Sequence, residues 1–474
     1  MSWTHYGNLG TAQNKASSAT LTLTPTATIA VGRLLIIWTA WDSHRGTPYP
    51  ISYTADIDQT KVTDSQGNVY VQLTSSGAAE DGTHVRGGLF ITKVRTQLTT
   101  SDTVTITSKT AVVAKCASMH EFGSTLSGWA RNSIFDHDPV WRTADGDVPD
   151  LVLSGLTSQA YLLLHMLAVE GPDTDAYTWD ADYTQITGTG TTGGADAENV
   201  HIRGGFRIAT LTSDTVAITS DTADRDLTQT LIPLCEVDIP ALFPEYTILD
   251  NANRADENPL SFGGWWLKSA AGGGLGNVPG GITNADLKVL SNEFKVAHSH
   301  IDSYGKYYWQ DDIPCGYAEA WATLSTNPSA SIAAQGGGLP DTNPGVRGIG
   351  IGLGGGEGIV PWAVHLKRLG KFQVDDLLWA HTPVSGFRTM AFIGAMAAGM
   401  KIGIQMQVGR YFHTWIDQNG GNGWEWLVAH DFGAPTIDHP FRPILWVSGT
   451  EAAADDFGGG HRCFPGDIIR RSNR

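Results

Sequence analysis

Cysteine is scarce in this chain of 474 residues: Cys116, Cys235, Cys315 and Cys463 stand far apart. A disulfide-built scaffold is dense in cysteine, so the four predict reduced thiols and folding in a cytoplasm. No CxxC pair or Cys/His cluster offers a zinc site. Charge is also sparse, 17% of residues against roughly 25% in an ordinary soluble protein. The net charge is −17. Nucleic-acid backbones and anionic membrane surfaces both demand clustered Lys and Arg, so neither is an expected partner. Long apolar runs are missing: segments 34–40 and 389–400 fall short of the roughly 20 residues of a membrane span. The opening Met1-Ser2-Trp3-Thr4-His5-Tyr6 lacks the basic-then-apolar pattern of a signal peptide. A protein made in that way can still act outside once lysis frees it. Helical periodicity with caps is absent as well.

What remains is the raw material of β-sheet. Thr, Ser, Asn and 56 Gly supply the polarity, and apolar residues make up 41%. Thr fits a pleated, half-buried surface, and Gly supplies turns. Thr20-Leu21-Thr22-Leu23-Thr24 and Thr103-Val104-Thr105-Ile106-Thr107 alternate with period two, the mark of a strand with one buried face. Leu34-Leu35-Ile36-Ile37-Trp38 is continuously apolar, as expected of a central strand buried on both faces.

An internal repeat organises the first half. His84-Val85-Arg86-Gly87-Gly88-Leu89 recurs as His201-Ile202-Arg203-Gly204-Gly205-Phe206. The run 100–108, Thr-Ser-Asp-Thr-Val-Thr-Ile-Thr-Ser, recurs in the same order at 212–220 with one change, Ala217. The apolar strand 34–38 has its counterpart in Tyr161-Leu162-Leu163-Leu164-His165. A repeat this long predicts a duplicated domain rather than a solenoid. Near residue 246 the composition changes: most of the 16 tryptophans follow it, together with Gly-rich loops at 272–274, 336–338 and 354–356. Ile402, Ile404, Met406 and Val408 share one strand face, and Phe412, Thr414 and Ile416 continue the pattern up to a turn at 417–421. The expected organisation is all-β. Two related β-sandwich modules (1–127 and 128–245) precede a third β-sandwich (246–460) and a basic tail (461–474).

Residues 248–260, Ile-Leu-Asp-Asn-Ala-Asn-Arg-Ala-Asp-Glu-Asn-Pro-Leu, with Gly263-Gly264-Trp265 beyond, resemble the opening strand of concanavalin A-like (laminin-G-like) jelly rolls. Such domains are common in bacteriophage minor tail and other virion proteins. Val447-Ser448-Gly449-Thr450 and Asp455-Asp456-Phe457 resemble the family's closing strand, which pairs with the first. Residues 287–293 look like its second strand and Trp415-Ile416-Asp417 like the strand before a late hairpin turn. Ala252 stands where the family carries an aromatic residue, and the loops at 270–282 and 335–360 are long. The resemblance implies a structural virion protein, a minor tail component that touches host-surface carbohydrate. A capsid decoration or head fibre is the alternative, and a polysaccharide-degrading glycoside hydrolase a further one. It also implies other virion proteins as partners and a homo-oligomer, a trimer by expectation, because weak glycan contacts gain from multivalency. No cofactor is expected.

The candidate sites follow from chemistry. Hydrolysis of a glycoside needs two flanking carboxylates, and no E-x-D-x-x-E string occurs; Glu319 has Trp321 as its second neighbour. No GxSxG elbow or HExxH helix is present, and no catalytic residue is assigned. Aromatic rings are the natural platform for pyranose C–H faces: Trp424 and Trp426 share one strand face, and Tyr411, His413 and Trp415 another. Core packing is the competing role for each. His298, His300 and Asp302 alternate in a way that could ligate a metal or form a solvated face. His84, Arg86, His201 and Arg203 hold equivalent outward positions in the repeat, and Arg470 and Arg471 lie in the basic tail. These are the candidates for contact with a neighbouring subunit.

Overall fold

The computed structural model describes residues 3–42, 60–77, 85–132, 140–144, 148–221, 225–245, 248–250, 252–253, 255–256, 265–266, 287–296, 304–309, 317–326, 347–355, 359–368, 376–382, 386–394, 397–407, 410–419, 421, 423–431, 442–448 and 453–461. Among the described residues there is no α-helix, and only one 3₁₀ turn, Asp196–Glu198. No helix there is long and apolar enough to cross a membrane. The protein is all-β, and its strands form two compact units, Met1–Asp238 and Ile239–Arg474.

In the first unit the strands are β1 (Thr4–Asn14), β2 (Ser18–Leu23), β3 (Leu34–Asp42), β4 (Lys61–Asp64), β5 (Val71–Gly77), β6 (Val85–Lys93), β7 (Val104–Val112) and β8 (Lys115–Gly123). They continue as β9 (Gly128–Asn132), β10 (Val140–Ala144), β11 (Leu151–Leu153), β12 (Gln159–Glu170), β13 (Tyr177–Trp179), β14 (Thr184–Gly190), β15 (Val200–Leu211), β16 (Asp214–Val216), β17 (Ile218–Ser220) and β18 (Arg225–Val237). The first half forms an antiparallel sheet in the order β1-β8-β3-β6-β5 and a small one, β2-β7-β4. The second half forms β9-β18-β12-β15-β14, with β11 on β16 and β13 on β17. The two five-stranded sheets share one order, with β3 and β12, the two apolar runs, in the same central place, whereas β10, paired with β18, has no counterpart among the described strands of the first half.

The two larger sheets face each other: β8 lies against β14 and β15, β3 against β12 and β15, and β6 against β12 and β18. This explains why β3 is buried along almost its whole length. One face, with Leu35, Ile37 and Trp41, packs with Leu21, Leu23, Val104 and Ile106 of the small sheet. The other carries Trp38, which meets His120 edge-on at 5.0 Å. Nearby, Phe206 of the second half meets Phe122 at 5.3 Å and His5 at 4.8 Å. The two halves of the repeat therefore pack as one compact unit. Cys116 and Cys235 are buried on β8 and β18 and form no disulfide, the Cys235 thiol donating to the Ala130 carbonyl at 3.6 Å; Cys315 and Cys463 lie outside the described residues.

The second unit contains β19 (Ile248–Asp250), β20 (Trp265–Trp266), β21 (Leu287–Val289), β22 (Phe294–Val296), β23 (Tyr304–Trp309), β24 (Ala318–Thr326), β25 (Arg347–Gly355) and β26 (Ile359–Arg368). It ends with β27 (Asp376–Thr382), β28 (Gly386–Gly394), β29 (Lys401–Gln407), β30 (Tyr411–Asp417), β31 (Glu425–Asp431), β32 (Arg442–Ser448) and β33 (Ala453–His461). One antiparallel sheet runs β21-β22-β33-β24-β29-β30-β31 and the other β20-β23-β32-β25-β26-β27-β28. The sheets face each other through β24 on β25, β29 on β25 and β26, and β33 on β32. Their shared core holds Ile402, Ile404, Met406, Phe412, Ile416, Leu324 and Phe457 from one sheet and Ile349, Ile351, Leu353, Leu445 and Val447 from the other. The alternation at 402–406 and 412–416 thus marks the core face. The first and last strands pair, β19 on β33, with Ile248 opposite Gly458.

Candidate functional site

The opposite face of the β24–β29–β30 sheet is where the aromatic candidates converge. Strand register puts Trp426, Trp415, Gly403, Trp321 and Gly458 in one row across five strands. The neighbouring row is polar: His413, Gln405 and Glu319. Two glycines make the aromatic row possible. A β-carbon on Gly458 would run into the Trp321 ring, and one on Gly403 would run into Phe243 and crowd Trp424.

Phe243 comes from the segment 239–245, which crosses this face. Its ring lies flat on Trp415, centroids 4.8 Å apart and planes 5° apart, and meets Trp424 edge-on at 4.9 Å. Trp424 in turn meets Trp321 at 6.4 Å. The backbone of the segment engages the polar row. The Glu245 N–H donates to Glu319 Oε2 at 3.1 Å, and the Leu242 carbonyl accepts from Gln405 Nε2 at 3.4 Å.

The five residues expected to form a sugar platform therefore divide. His413 is fully buried, and Trp415 and Trp426 are nearly so, whereas Tyr411 and Trp424 are half-buried. A register shift in the pairing of β30 with β31 sets Trp426 opposite Trp415. The Trp426 indole donates to His413 Nδ1 at 3.1 Å, which leaves His413 Nε2 to donate to Gln407 Oε1 at 2.9 Å. Burial pushes the imidazole pKa down to about 3. His413 is thus a neutral, fully committed ring that orients its neighbours. One side of Tyr411 faces the Arg410 guanidinium, 4.9 Å from the ring centroid, and Arg410 is held by both oxygens of buried Asp431 at 2.6 Å. Sequence reasoning missed Phe243, Gln405 and Gly403, because their roles depend on a cross-strand row and a segment some 160 residues away in the chain. Unspent polar capacity marks this face too. Trp415 Nε1, Gln405 Oε1 and Thr323 Oγ1 are buried without a partner among the described residues.

The expectation for the repeated His and Arg needs correction. His201 does not point outward; it is fully buried, with Nδ1 3.0 Å from the Gly171 carbonyl and Tyr177 against its ring at 5.4 Å. Arg203 is engaged within its own chain, by Asp173 Oδ1 at 2.8 Å and the carbonyls of Asp173 and Asp175 at 2.7 and 3.2 Å. The turn after β12 folds over the start of β15, so residues on that side of the strand face protein rather than solvent. Arg86, at the matching place on β6, is half-buried opposite Trp41. His84, His298, His300, Asp302, Arg470 and Arg471 lie outside the described residues. Among those described, no group of three or more His, Cys, Asp or Glu side chains is placed to hold a metal ion.

No protein-family model matches the chain, and no curated protein does. Among solved structures it is similar to the exoplasmic/lumenal domain of VIP36 in its Ca²⁺- and mannose-bound form, at 8% identity and a TM-score of 0.29, over 38% of this chain and 82% of that one. Lectin II from Ulex europaeus is similar at 7% identity and a TM-score of 0.28, over 38% and 92%. The legume lectin-like domain from Entamoeba histolytica is similar at 9% identity and a TM-score of 0.27, over 38% and 89%.

Proposed function

We propose that this chain is a carbohydrate-binding protein without hydrolytic activity, and that the outer face of the β24–β29–β30 sheet is its binding surface. The observation that carries the reading is the pairing of an aromatic row with a polar row that has unused hydrogen-bonding atoms. Aromatic faces stack on the apolar C–H side of a pyranose, while amides, carboxylates and indole N–H groups engage its hydroxyls. A buried polar atom left unpaired costs about 1–3 kcal/mol, and a polyhydroxylated ligand is a natural partner for Trp415 Nε1 and Gln405 Oε1. Binding is favoured over hydrolysis because Glu319 has Gln405 and His413 as its row partners, not the second acid that hydrolysis needs.

The wider role rests on the sequence resemblance at 248–265 and 447–457: a virion structural protein, a minor tail component of a phage, adhering to host-surface glycan as an oligomer. Titration of the full chain against an array of neutral and aminosugar oligosaccharides tests the binding. Saturable binding that falls at least tenfold in Trp424→Ala is expected; absence of binding to every glycan overturns the reading. Antibody against residues 246–460, labelling purified particles along the tail, tests the virion role, and labelling of the head points to the decoration role instead.

A further inference from the structure

The segment 239–245 does more on this face than join two units. Its Phe243 ring occupies the place above Trp415 and Gly403 that a pyranose C–H face would take. Its backbone presents one donor, the Glu245 N–H to Glu319, and one acceptor, the Leu242 carbonyl to Gln405. Adjacent sugar hydroxyls would offer the same pair. We propose that this strap is a built-in occupant of the glycan subsite, and that a sugar engages Trp415, Gln405 and Glu319 only when the strap lifts. The inference rests on the carbohydrate reading above.

The fit of the strap is that of a stand-in. It leaves hydrogen-bonding capacity open beneath it: Trp415 Nε1 and Gln405 Oε1 have no partner among the described residues. No residue of 239–245 is fully buried, and Ala241, Leu242 and Glu245 are exposed. Leu242, beside the anchoring Phe243, is 66% exposed. Segments with few buried contacts open at a small fraction of the global unfolding free energy. Apparent affinity is then the intrinsic affinity multiplied by the fraction of molecules whose strap is open. Removing the anchor therefore tightens glycan binding, although it deletes an aromatic ring from an aromatic site.

The test uses the full chain and its Phe243→Ala variant on two readouts: binding to the oligosaccharide array, and hydrogen exchange at the Glu245 amide. The expected result is exchange at least tenfold faster and glycan binding at least tenfold tighter in the variant. Faster exchange with unchanged or weaker binding overturns the inference and leaves the carbohydrate reading standing. Unchanged exchange also overturns it, since Phe243 would then not be what holds the strap. A freed amide with no glycan bound by either protein retires the carbohydrate reading and this inference with it. Glu245→Pro removes the strap's donor to Glu319 and leaves the aromatic cup intact. It is expected to tighten binding at least threefold, and it decides the matter if Phe243→Ala fails to melt cooperatively.

Discussion

The indole of Trp426 donates to His413 Nδ1 at 3.1 Å, and in the other unit the indole of Trp179 donates to His165 Nδ1 at 3.0 Å. Each imidazole then passes its Nε2–H to a glutamine carbonyl, Gln407 at 2.9 Å or Gln229 at 3.1 Å. The same Trp-His-Gln chain thus stabilises two different sheets. It satisfies a buried ring on both nitrogens and fixes its tautomer.

This arrangement has a consequence for pH. Burial lowers His413 to about 3 and His165 to about 4, so both are neutral in the folded protein down to those values. Unfolded histidine takes a proton near 6.5. Between about pH 6.5 and 4 the unfolded state binds more protons, so stability falls on acidification, by up to about 1.4 kcal/mol per pH unit for each histidine. Urea unfolding across that window is expected to show the slope, and His413→Gln is expected to flatten it for the second unit.

A carboxylate in the repeat behaves oppositely in origin and alike in outcome. Asp102 accepts from Gln66 Nε2 at 2.6 Å, from Ser65 Oγ at 2.7 Å, and from the Thr99 amide and hydroxyl at 2.7 and 2.8 Å. These bonds hold its carboxyl well below the usual range. Its contribution is complete above the unfolded value of about 3.9 and is lost as pH falls below it. Asp102→Asn is expected to lower the melting temperature at neutral pH, with the gap to the parent closing as pH falls below about 4.

The facing of the two larger sheets in the first unit can be tested at its centre. Trp38 is 1% exposed, and its indole N–H makes no hydrogen bond among the described residues. Trp38→Ala is expected to cost about 3–5 kcal/mol in urea unfolding. Trp38→Phe is expected to cost much less, because no hydrogen bond is forfeited and most of the ring is kept.

Asp431 has no exposed surface, and both its oxygens receive Arg410. Asp431→Ala is expected to destabilise the second unit by about 1.5–3 kcal/mol, the range for hydrogen bonds to charged groups. The Tyr411 environment should shift with it, visible in near-ultraviolet circular dichroism, since Arg410 stands over that ring.

Much of this protein was legible before its structure. Period-two alternation at 20–24, 103–107 and 402–416 depends only on the pleat, which sends successive side chains to opposite faces, so it named strands and their apolar faces directly. The continuous run at 34–38 announced a strand covered on both sides. The resemblance at both ends of the third sandwich anticipated the pairing of β19 with β33.

The tertiary structure alone decided what those faces meet. Sequence placed Tyr411, His413 and Trp415 on one strand face and Phe412 and Thr414 on the other, but could not say which face is core, or that His413 and Trp415 would be covered by a segment from 239–245. It likewise placed His201 and Arg203 on one side of a strand, without showing that the turn at 171–175 folds over them. The reason is physical. Alternation along a strand is a local property of backbone geometry, whereas burial of the outer face depends on contacts between residues far apart in the chain, such as Phe243 with Trp415 and Trp424, and those form only when the whole chain has packed.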